Sequence, residues 1–545
     1  MKNTTMVATR RLANKLFIKI FGSDAVFTTS LILVFLALTF IGILNHEMWR
    51  DELQAWLIAR DSSSISNLFQ NLRYEGHPGL WHLCLYFLSR FTHNPIVMQL
   101  FHLALATGVI YLFARFSPFT KLEKTLFTFG YFPFFEYSII SRSYVLGVLL
   151  IFCFCILFAK KQKSYLLTLI ILSLLSNTSL YGFIIAITMA ITLLFELFLD
   201  KNKNKIIFNN KRELILGLII FTLSILFVFV QVVPPSDSTF KNDLGALTRQ
   251  ENIATSNQDK LYSNLQNYTR PLAGTIQAIW KSYVPIPIFF KYNFWNTNLF
   301  VSFPKLGHPL TFLFSLGLLI FSIAWFWQKP IVLFLYIFGT FGILLFTYLI
   351  FVGSIRHQGH LFILFVASLW LYNSYNQQDL NKHFNRYSTK PFSKHRKRFF
   401  TILLLLHLVA GVFSFSMDLF NPFSASKETS EFIKNQQLVT LPIAGHRSTV
   451  TSTLAGLLER KIFYPASEEW GSFVVLSDQK KKELENYEIL EKVNQLIDRE
   501  NSGILLVLSK PLDISKPDIS IEKIAKFTKS IVADELYYLY LIQKT

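Results

Sequence analysis

The sequence predicts an α-helical polytopic membrane protein with about eleven transmembrane helices, followed by a small extracytoplasmic α/β domain. Hydrophobic residues make up 52% of the 545 residues and only 16% are charged, against roughly 25% in a soluble domain. Many apolar runs reach the ~20 residues that cross a bilayer. We therefore predict a basic cytoplasmic N-terminus over 1–25, a transmembrane domain over 26–420 and a separate domain over 421–545.

Short segments rich in Lys and Arg separate the apolar runs and set the predicted orientation, because such segments concentrate on the cytoplasmic side. With the N-terminus cytoplasmic, every strongly basic short loop falls on that side. The first external loop is then 46–94, and a long external loop covers 234–309. The apolar piece Gly76–Phe91 would invert this pattern if it crossed the membrane, so we predict a juxtamembrane or re-entrant helix there. The predicted spans are about 26–45, 96–114, 125–140, 143–159, 214–233 and 399–418, with a hairpin of two around Ser176–Gly182 and three more between 309 and 382.

The charge and the cysteines exclude several classes of protein. The net charge of +19 does not indicate nucleic-acid binding, because the basic residues lie in the short loops between apolar runs. Cys84, Cys153 and Cys155 show neither a disulfide framework nor zinc-ligand spacing. The abundance of Phe, Ile, Lys and Asn suggests an AT-rich bacterial genome. The predicted location is therefore the bacterial plasma (inner) membrane, with membrane lipids and no nucleic acid as partners.

The segment 421–545 differs from the rest in having periodic charge and short apolar runs. Strands alternating with helices are typical of a small α/β domain. The helical stretch is Gln479–Asn501, and the predicted strands are 438–445, 461–466, 472–477, 503–509 and 536–543. The segment 421–545 contains no glycine-rich phosphate loop and no evident catalytic cluster.

Asp51 and Glu52 are the most informative polar pair, in the segment HEMWRDELQAWLIARD after the first predicted span. As an amphipathic helix, this segment places Trp49, Leu53 and Trp56 on one face. We expect that face to lie on the lipid, with the tryptophans at headgroup level. Asp51 then points toward water and Glu52 lies on the flank. An ionised carboxylate there could accept a proton from an attacking hydroxyl; the alternative is a pair of ordinary loop acids.

Polar residues also interrupt the apolar segment FFEYSIISRSYVLG, on the same predicted face. Glu136, Arg142 and Tyr144 lie there, and ionisable residues near membrane depth are usually functional. Arg142 could bind a phosphate through its forked guanidinium. The alternative is a structural ion pair between Glu136 and Arg142.

Histidines accompany two other predicted sites. Arg356, His357 and His360 in SIRHQGHLF suit a phosphate or pyrophosphate leaving group, with an interfacial anchor as the alternative. His77 precedes Pro78 at a helix start, where it could contact an anion or serve as a polar cap. A metal site remains an open alternative, without diagnostic spacing, from these candidates: His46, Glu47, Asp51, Glu52, His77 and His82.

These motifs together resemble the GT-C superfamily of integral-membrane glycosyltransferases, which includes protein mannosyltransferases and the aminoarabinose transferase of lipid A. The family pattern places an acidic residue or pair in the first external loop, here Asp51 and Glu52 in WRDELQAW. A His/Lys-Pro motif follows, here GHPGLWHL, and then an arginine-containing segment, here SRSYVLGVLL. The resemblance in these motifs covers about residues 26–160. The rest of the chain, including the predicted extracytoplasmic C-terminal domain, resembles the family in architecture only.

The resemblance implies an inverting glycosyltransferase that moves a sugar from a polyprenyl-phosphate donor to a hydroxyl of a glycan, lipid or protein acceptor at the outer face. Asp51 would be the general base, and Glu52 would orient it or act in its place. Arg142 and Arg356 would stabilise the departing phosphate. The other residues assigned to the donor phosphate are His77, His357 and His360, and the supporting residues are Glu136 and Tyr144.

No cofactor is assigned, although a divalent metal is an open alternative. Many relatives carry an aspartate shortly after the arginine of the second loop, whereas here Ser143, Tyr144 and Val145 follow Arg142. Two other functions also stay open. A lipid-linked saccharide transporter or flippase would carry broken helices in matching halves, and a polysaccharide polymerase or ligase would use the long 234–309 loop.

Overall fold

The computed structural model describes residues 24–160, 164–199, 211–238, 272–374, 390–477, 483–514 and 518–545. The helices before the C-terminal domain are α1 (Asp24–Asn45), α2 (Arg50–Asp61), α3 (Ile65–Leu72), α4 (Leu80–Ser89), α5 (Ile96–Phe116), α6 (Lys121–Thr128), a π-helix (Tyr131–Glu136), α7 (Tyr144–Ala159), α8 (Tyr165–Ser176), α9 (Leu180–Leu199), α10 (Lys211–Val232), α11 (272–283), α12 (Gly307–Phe326), α13 (Pro330–Leu349), α14 (Ile355–Ser374) and α15 (Lys390–Phe420).

Several of these helices could cross a membrane, which supports the predicted class of protein. In the part of the chain that the structure describes, seven helices are long and apolar enough: α1, α5, α9, α10, α12, α13 and the 395–420 part of α15. The prediction of about eleven spans is not confirmed. Helices α7 and α8 are apolar but have only 16 and 12 residues, and α14 begins with a polar turn.

The predicted span 125–140 is not one continuous helix. Helix α6 ends at Thr128, and a short π-helix follows. Gly130 and Pro133 mark this interruption, and both residue types break helices. The backbone here lies against α15 at Gly411, where a Cβ atom would come within 2.6 Å of the carbonyl oxygen of Phe129. The interruption leaves Glu136 buried in the bundle rather than on a regular helix surface.

Helix α14 is the most enclosed helix near the site. Every residue from His357 to Leu371 is buried, which is typical of a helix surrounded by protein on all sides. It packs against α7, α9 and α13. Arg356 lies in its first turn, so the best-packed helix of this region fixes the position of that arginine.

The predicted first external loop, 46–94, folds into the short helices α2, α3 and α4. Helix α4 has ten residues, which confirms that Gly76–Phe91 is not a full span. Its start is attached to the bundle at two points. The backbone N–H of Gly79 donates to Oε1 of Gln231 at 2.7 Å, and that of Leu80 donates to the carbonyl of Asn177 at 3.1 Å.

The C-terminal domain is a six-stranded mixed sheet with helices on both faces. Its order is β3-β2-β1-β4-β6-β5; β1 is parallel to β2 and β4, and the other neighbours are antiparallel. Helix α18 covers one face, and α16 and α17 cover the other. The elements are α16 (Ser426–Asn435), a 3₁₀-helix (Leu438–Thr440), β1 (Ile443–His446), α17 (Ser448–Leu457), β2 (Ile462–Tyr464), β3 (Glu469–Gly471), α18 (Asn486–Glu500), β4 (Ile504–Leu508), β5 (Ile519–Phe527) and β6 (Tyr537–Lys544).

Four of the five predicted strands overlap an observed strand. The exception is 472–477, which is irregular chain directly after β3. Strands β3 and β5 were not predicted. In β5, four of the nine residues are exposed, and ISIEKIAKF carries three charges among its apolar residues. The predicted helix Gln479–Asn501 begins later, at Asn486, and 478–482 lie outside the described residues.

The C-terminal domain packs directly on α2. A Cβ atom at Gly456 of α17 would lie 3.3 Å from Leu53 and 3.5 Å from Leu57. Trp56 packs in a separate cluster with residues of α3 and α4. Trp49, Leu53 and Trp56 are at most 1% exposed. The prediction that this face lies on the lipid is therefore wrong, because protein covers it on both sides.

Candidate active site

Asp51 lies in the first turn of α2, where two arginines from distant parts of the chain approach its carboxylate. Nη2 of Arg356 is 3.1 Å from Oδ2 of Asp51, and Nη1 of Arg142 is 3.8 Å from the same oxygen. Arg142 also donates a hydrogen bond to the backbone carbonyl of Asp51. The carboxylate remains 29% exposed. Three of the predicted site residues therefore form one cluster that solvent can reach.

Positive charge dominates around Asp51. Burial alone would raise the pKa of this carboxyl, but the charges of Arg142, Arg356 and Arg50 together lower it from its usual value. Asp51 is therefore ionised at neutral pH. Arg50 is paired with Asp534, whereas Arg142 and Arg356 share the single carboxylate of Asp51. These two arginines therefore keep positive charge that suits an anionic ligand.

Two tryptophans hold the guanidinium of Arg356. Its Cζ lies 4.8 Å from the ring centre of Trp49 and 5.2 Å from that of Trp295. The two rings meet edge to face, with their centres 4.7 Å apart. The hydroxyl of Tyr137 donates to the backbone carbonyl of Arg356 at 2.7 Å. Stacking and this hydrogen bond leave the arginine little rotational freedom.

A cavity of about 230 Å³ opens beside this cluster. Its walls come from the start of α2, the segment 293–296, Arg356 and the segment 531–534 of the C-terminal domain. Within the described residues, Nε1 of Trp49, Nε of Arg356 and Oδ1 of Asn296 are buried without a hydrogen-bond partner. Buried polar groups normally have partners, so these atoms indicate that a polar ligand completes the site.

Arg50 connects the helical bundle to the C-terminal domain at the cavity wall. Its Nη1 lies 2.7 Å from Oδ2 of Asp534, and its backbone N–H donates to Oε1 of Glu535 at 2.9 Å. On the opposite wall, Nδ2 of Asn293 donates to the carbonyl of Ser530 at 2.6 Å. The cavity therefore depends on contacts between three separate parts of the chain.

Glu52 has a different environment from Asp51, and the prediction that it could replace Asp51 as the base is contradicted. Its side chain is fully buried. One carboxylate oxygen accepts the backbone N–H of Ser141 at 2.6 Å, and the other lies 3.0 Å from Nε2 of His46. Nδ1 of His46 in turn lies 2.9 Å from Oδ2 of Asp418 in α15. Glu52 therefore holds the segment before Arg142 against α1 and α2, and its oxygens are occupied.

His77 lies close enough to Arg142 and Asp51 for their charges to affect its pKa. Burial and the nearby Arg142 lower the pKa of His77 to about 4, although Asp51 partly opposes this. The imidazole is therefore neutral at pH 7. It can hydrogen-bond a phosphate oxygen but cannot add positive charge, which limits the role predicted for it.

Glu75, two residues earlier, was not predicted. Its Oε1 accepts from Nε2 of Gln54 at 2.8 Å. Burial raises the pKa of Glu75 to about 7, against the opposing effects of Gln54 and Arg142. Asp51 and Glu75 thus form a pair of neighbouring carboxyls whose pKa values differ, which is a pattern typical of acid–base sites.

His357 and His360 do not line the cavity, and the prediction that they bind the donor phosphate is unsupported. Nδ1 of His357 accepts the backbone N–H of Ser354 at 3.0 Å, so it caps the start of α14. Nδ1 of His360 donates to the carbonyl of His357 at 2.9 Å. The ring of His360 packs on Tyr181 and Tyr144 at 5.0 and 5.3 Å between ring centres. These side chains form the packed layer next to Arg356.

Glu136 supports the site through Trp295. Its Oε2 accepts from the hydroxyl of Tyr131 at 2.9 Å and from Nε1 of Trp295 at 3.1 Å. Trp295 in turn stacks on Arg356. The alternative of an ion pair between Glu136 and Arg142 is not what the structure shows, because Arg142 is directed to Asp51.

Among the described residues, no group of three or more His, Cys, Asp or Glu side chains is arranged to hold a metal ion. The six first-loop candidates divide between two environments. His46 and Glu52 are buried together, while Asp51 faces the arginines. No metal ligand is therefore assigned.

Sequence reasoning missed most of the cavity wall. Trp295 and Asn296 lie in the long 234–309 loop, where KYNFWNTN concentrates aromatic and amide side chains. Asp534 lies in VADEL near the C-terminus, an acidic pair that resembles the one at Asp51. Such a local concentration of polar and aromatic residues is the available signal, but nothing in it places these segments beside α2.

Comparison of the chain with models of known protein families, with curated proteins and with solved structures found no match.

Proposed function

We propose that this protein is an integral-membrane glycosyltransferase of the GT-C type. In this proposal it transfers a sugar from a polyprenyl-phosphate donor to an acceptor hydroxyl, with Asp51 as the general base. The observation that carries the proposal is the position of Asp51. It is partly exposed beside a polar cavity and lies between Arg142 and Arg356. The arrangement combines a proton acceptor with two phosphate-binding groups in one place.

The two arginines would bind the donor phosphate. Arg142 and Arg356 share one carboxylate, and the Nε–H of Arg356 has no partner among the described residues; both observations favour an anionic oxygen ligand. As the bond between the anomeric carbon and the phosphate oxygen breaks, negative charge grows on that oxygen. Donors already fixed in position stabilise such charge most effectively, and the contacts of Arg356 with the rings of Trp49 and Trp295 supply that fixed position.

Asp51 would take the proton of the acceptor hydroxyl as its oxygen bonds to the anomeric carbon from the face opposite the phosphate. This attack inverts the anomeric centre. In the unliganded site, the arginines lower the pKa of Asp51 and make it a weak base. A donor phosphate that shares these guanidinium groups reduces their effect on Asp51, so donor binding would strengthen the base that the next step needs.

The place of the site in the bundle also favours an enzyme over a transporter. Transporter sites commonly lie midway along discontinuous helices. Here Asp51 follows the end of α1 by six residues, and Arg356 lies in the first turn of α14. The C-terminal domain forms one wall of the cavity. A site at helix ends gives access to a lipid-linked phosphate and to a polar acceptor at once.

The test is transfer of radiolabelled sugar from polyprenyl-phosphate donors by the purified full chain in nanodiscs, comparing wild type with Asp51→Asn. Asp498→Asn on the exposed surface of α18 is the matched control. We expect donor-dependent transfer that Asp51→Asn abolishes and the control retains. Full activity of Asp51→Asn would remove Asp51 from the mechanism. Movement of labelled lipid between leaflets without donor consumption would replace the proposal with a transporter.

A further inference from the structure

A second cavity, of about 260 Å³, lies at the other end of α2. Asp61 of α2 forms part of its wall, and the rest comes from the C-terminal domain around β2 and β3. Its lining includes Asp61, Lys461, Tyr464, Ser467, Glu469 and Trp470. At 1.5 Å per residue, Asp51 and Asp61 are separated by about 15 Å along the helix. The two cavities therefore lie at opposite ends of one rigid element.

Tyr464 is the first sign that this cavity binds a polar ligand. Its ring is packed in the sheet core and only 5% exposed. Gly471 on the neighbouring strand makes room for it, since a Cβ atom there would lie 3.1 Å from Cε2 of Tyr464. Its hydroxyl is buried and has no hydrogen-bond partner among the described residues. A phenylalanine would fill this space without leaving a buried hydroxyl unpaired.

Trp470 supplies an apolar surface at the edge of this cavity, on the sheet face opposite that of Tyr464. It lies on the edge strand β3 and pairs across the sheet with Phe463, with ring centres 5.6 Å apart. Despite that packing, 38% of Trp470 remains exposed. Large aromatic side chains exposed in a polar cavity are typical of binding surfaces, because they offer both apolar area and a polar edge. The C–H face of a sugar ring packs well on such a surface.

The charges of the cavity favour a neutral ligand. The carboxylate of Asp61 is held by Nε and Nη2 of Arg60 at 2.7 and 2.9 Å and by the hydroxyl of Ser472. Lys461 and Glu469 contribute opposite charges. Among the described residues that line the cavity, the positive and negative charges therefore balance. A polyhydroxylated molecule can donate to the carboxylate of Asp61 and accept from Lys461 and the hydroxyls of Tyr464 and Ser467.

We propose that this cavity is a saccharide-binding subsite that holds a glycan remote from the reacting hydroxyl. Its role as an acceptor subsite rests on the proposed function, whereas saccharide binding itself does not. A glycan that reaches from this cavity to Asp51 must span about 15 Å, the length of several sugar units. Binding energy from the remote units then helps to position the hydroxyl that reacts.

The experiment measures saccharide binding by the full chain in nanodiscs on an array of defined neutral glycans, followed by titration of the best soluble oligosaccharide. Trp470→Ala should weaken binding by about tenfold or more, and Tyr464→Phe by roughly threefold to tenfold, the effect of one hydrogen bond. Tyr487→Ala and Tyr487→Phe, at an exposed tyrosine of α18, are the matched controls and should bind as wild type does.

The outcomes separate the two proposals. Binding that Trp470→Ala and Tyr464→Phe weaken supports the subsite even if no sugar transfer is found, in which case only the glycosyltransferase proposal fails. Sugar transfer without binding of any array glycan, or binding that both variants leave unchanged, overturns the subsite. If transfer occurs, Trp470→Ala should raise the KM for a free oligosaccharide or glycolipid acceptor and leave the donor KM unchanged. An unchanged acceptor KM overturns the acceptor role.

Discussion

Asp51 and Glu52 are adjacent in the chain but lie in opposite environments. The carboxylate of Asp51 opens onto a cavity between two arginines, whereas that of Glu52 is fully buried against His46 and the backbone of Ser141. The first arrangement suits chemistry with a ligand, and the second suits structural support. Substitutions around the pair should therefore separate effects on activity from effects on stability.

Arg356→Gln should lower kcat/KM for the donor by about 10²- to 10³-fold, the usual effect of removing one fixed donor to developing charge. Arg356→Lys keeps the charge but loses the planar guanidinium that contacts Trp49 and Trp295, so it should recover only part of the activity. Arg499→Gln, at an exposed position of α18, is the control. Wild-type donor kinetics in Arg356→Gln would exclude a phosphate contact.

The pH dependence of activity should contain a step near neutrality from Glu75. The pKa of Glu75 is raised to about 7, so its charge changes there, whereas the lowered pKa of Asp51 keeps that group ionised. If ionised Glu75 assists proton transfer, kcat/KM rises between about pH 6 and 8. Glu75→Gln should remove this step. The control variant Glu491→Gln, at an exposed position of α18, should keep it. Superimposable profiles for wild type and Glu75→Gln would show that Glu75 takes no part.

His46→Ala should destabilise the protein by about 3–5 kcal/mol, because it leaves the buried carboxylates of Glu52 and Asp418 without their shared partner. Burial opposes protonation, yet these carboxylates raise the pKa of His46 well above its usual value. Its stabilising contribution is therefore complete below about pH 6.5 and is lost as the pH rises through the raised pKa. The wild-type melting temperature should fall at alkaline pH, measured in detergent by thermal unfolding.

The control for this substitution is His93→Ala at an exposed histidine of the first loop. It should keep both the wild-type melting temperature and its alkaline decline. In His46→Ala that decline should be absent, since the titrating group is gone. A His46→Ala protein that melts as wild type does would contradict the role of His46 as a bridge.

Gly359→Ala should impair both stability and transfer. A Cβ atom at Gly359 would lie 2.4 Å from Cε1 of Phe132 and 2.4 Å from the hydroxyl of Tyr137. Phe132 is fully buried and cannot move aside easily, and Tyr137 supports the backbone of Arg356. Overpacking of this kind costs about 1–3 kcal/mol. Gly317→Ala in α12, where no atom lies within 4 Å, should be neutral or stabilising, and equal melting temperatures for the two variants would contradict this packing.

The sequence carried enough information to predict the class of protein and the centre of the site. Apolar runs and basic loops indicated a multi-pass helical protein, and Asp51, Arg142 and Arg356 stood out as charged residues at the ends of apolar segments. These signals are local, since each depends on composition within one stretch of chain. The C-terminal α/β domain was predicted because short apolar runs alternate there with a charged helical segment.

The remainder depended on contacts between distant segments. Periodicity identified the apolar face of α2 but could not reveal that Gly456 and α4 cover it instead of lipid. The sequence could not separate the roles of Asp51 and Glu52. Glu52 is buried by contacts with His46 and Ser141, and these contacts exist only in the folded chain. The break at Gly130 and Pro133 was visible in the sequence, yet the apolar residues around it favoured a continuous span.

The contact between α2 and the C-terminal domain has a consequence for biosynthesis. Asp61 and its partner Ser472 are 411 residues apart. At 5–20 residues per second, a ribosome needs roughly 20 to 80 s to make the intervening chain. During that time Leu53 and Leu57 lack their contact with the C-terminal domain. The nascent protein therefore depends on the insertion machinery or a chaperone to shield these two side chains. A chain truncated before residue 421 lacks the C-terminal domain that packs on α2 and should aggregate or be degraded.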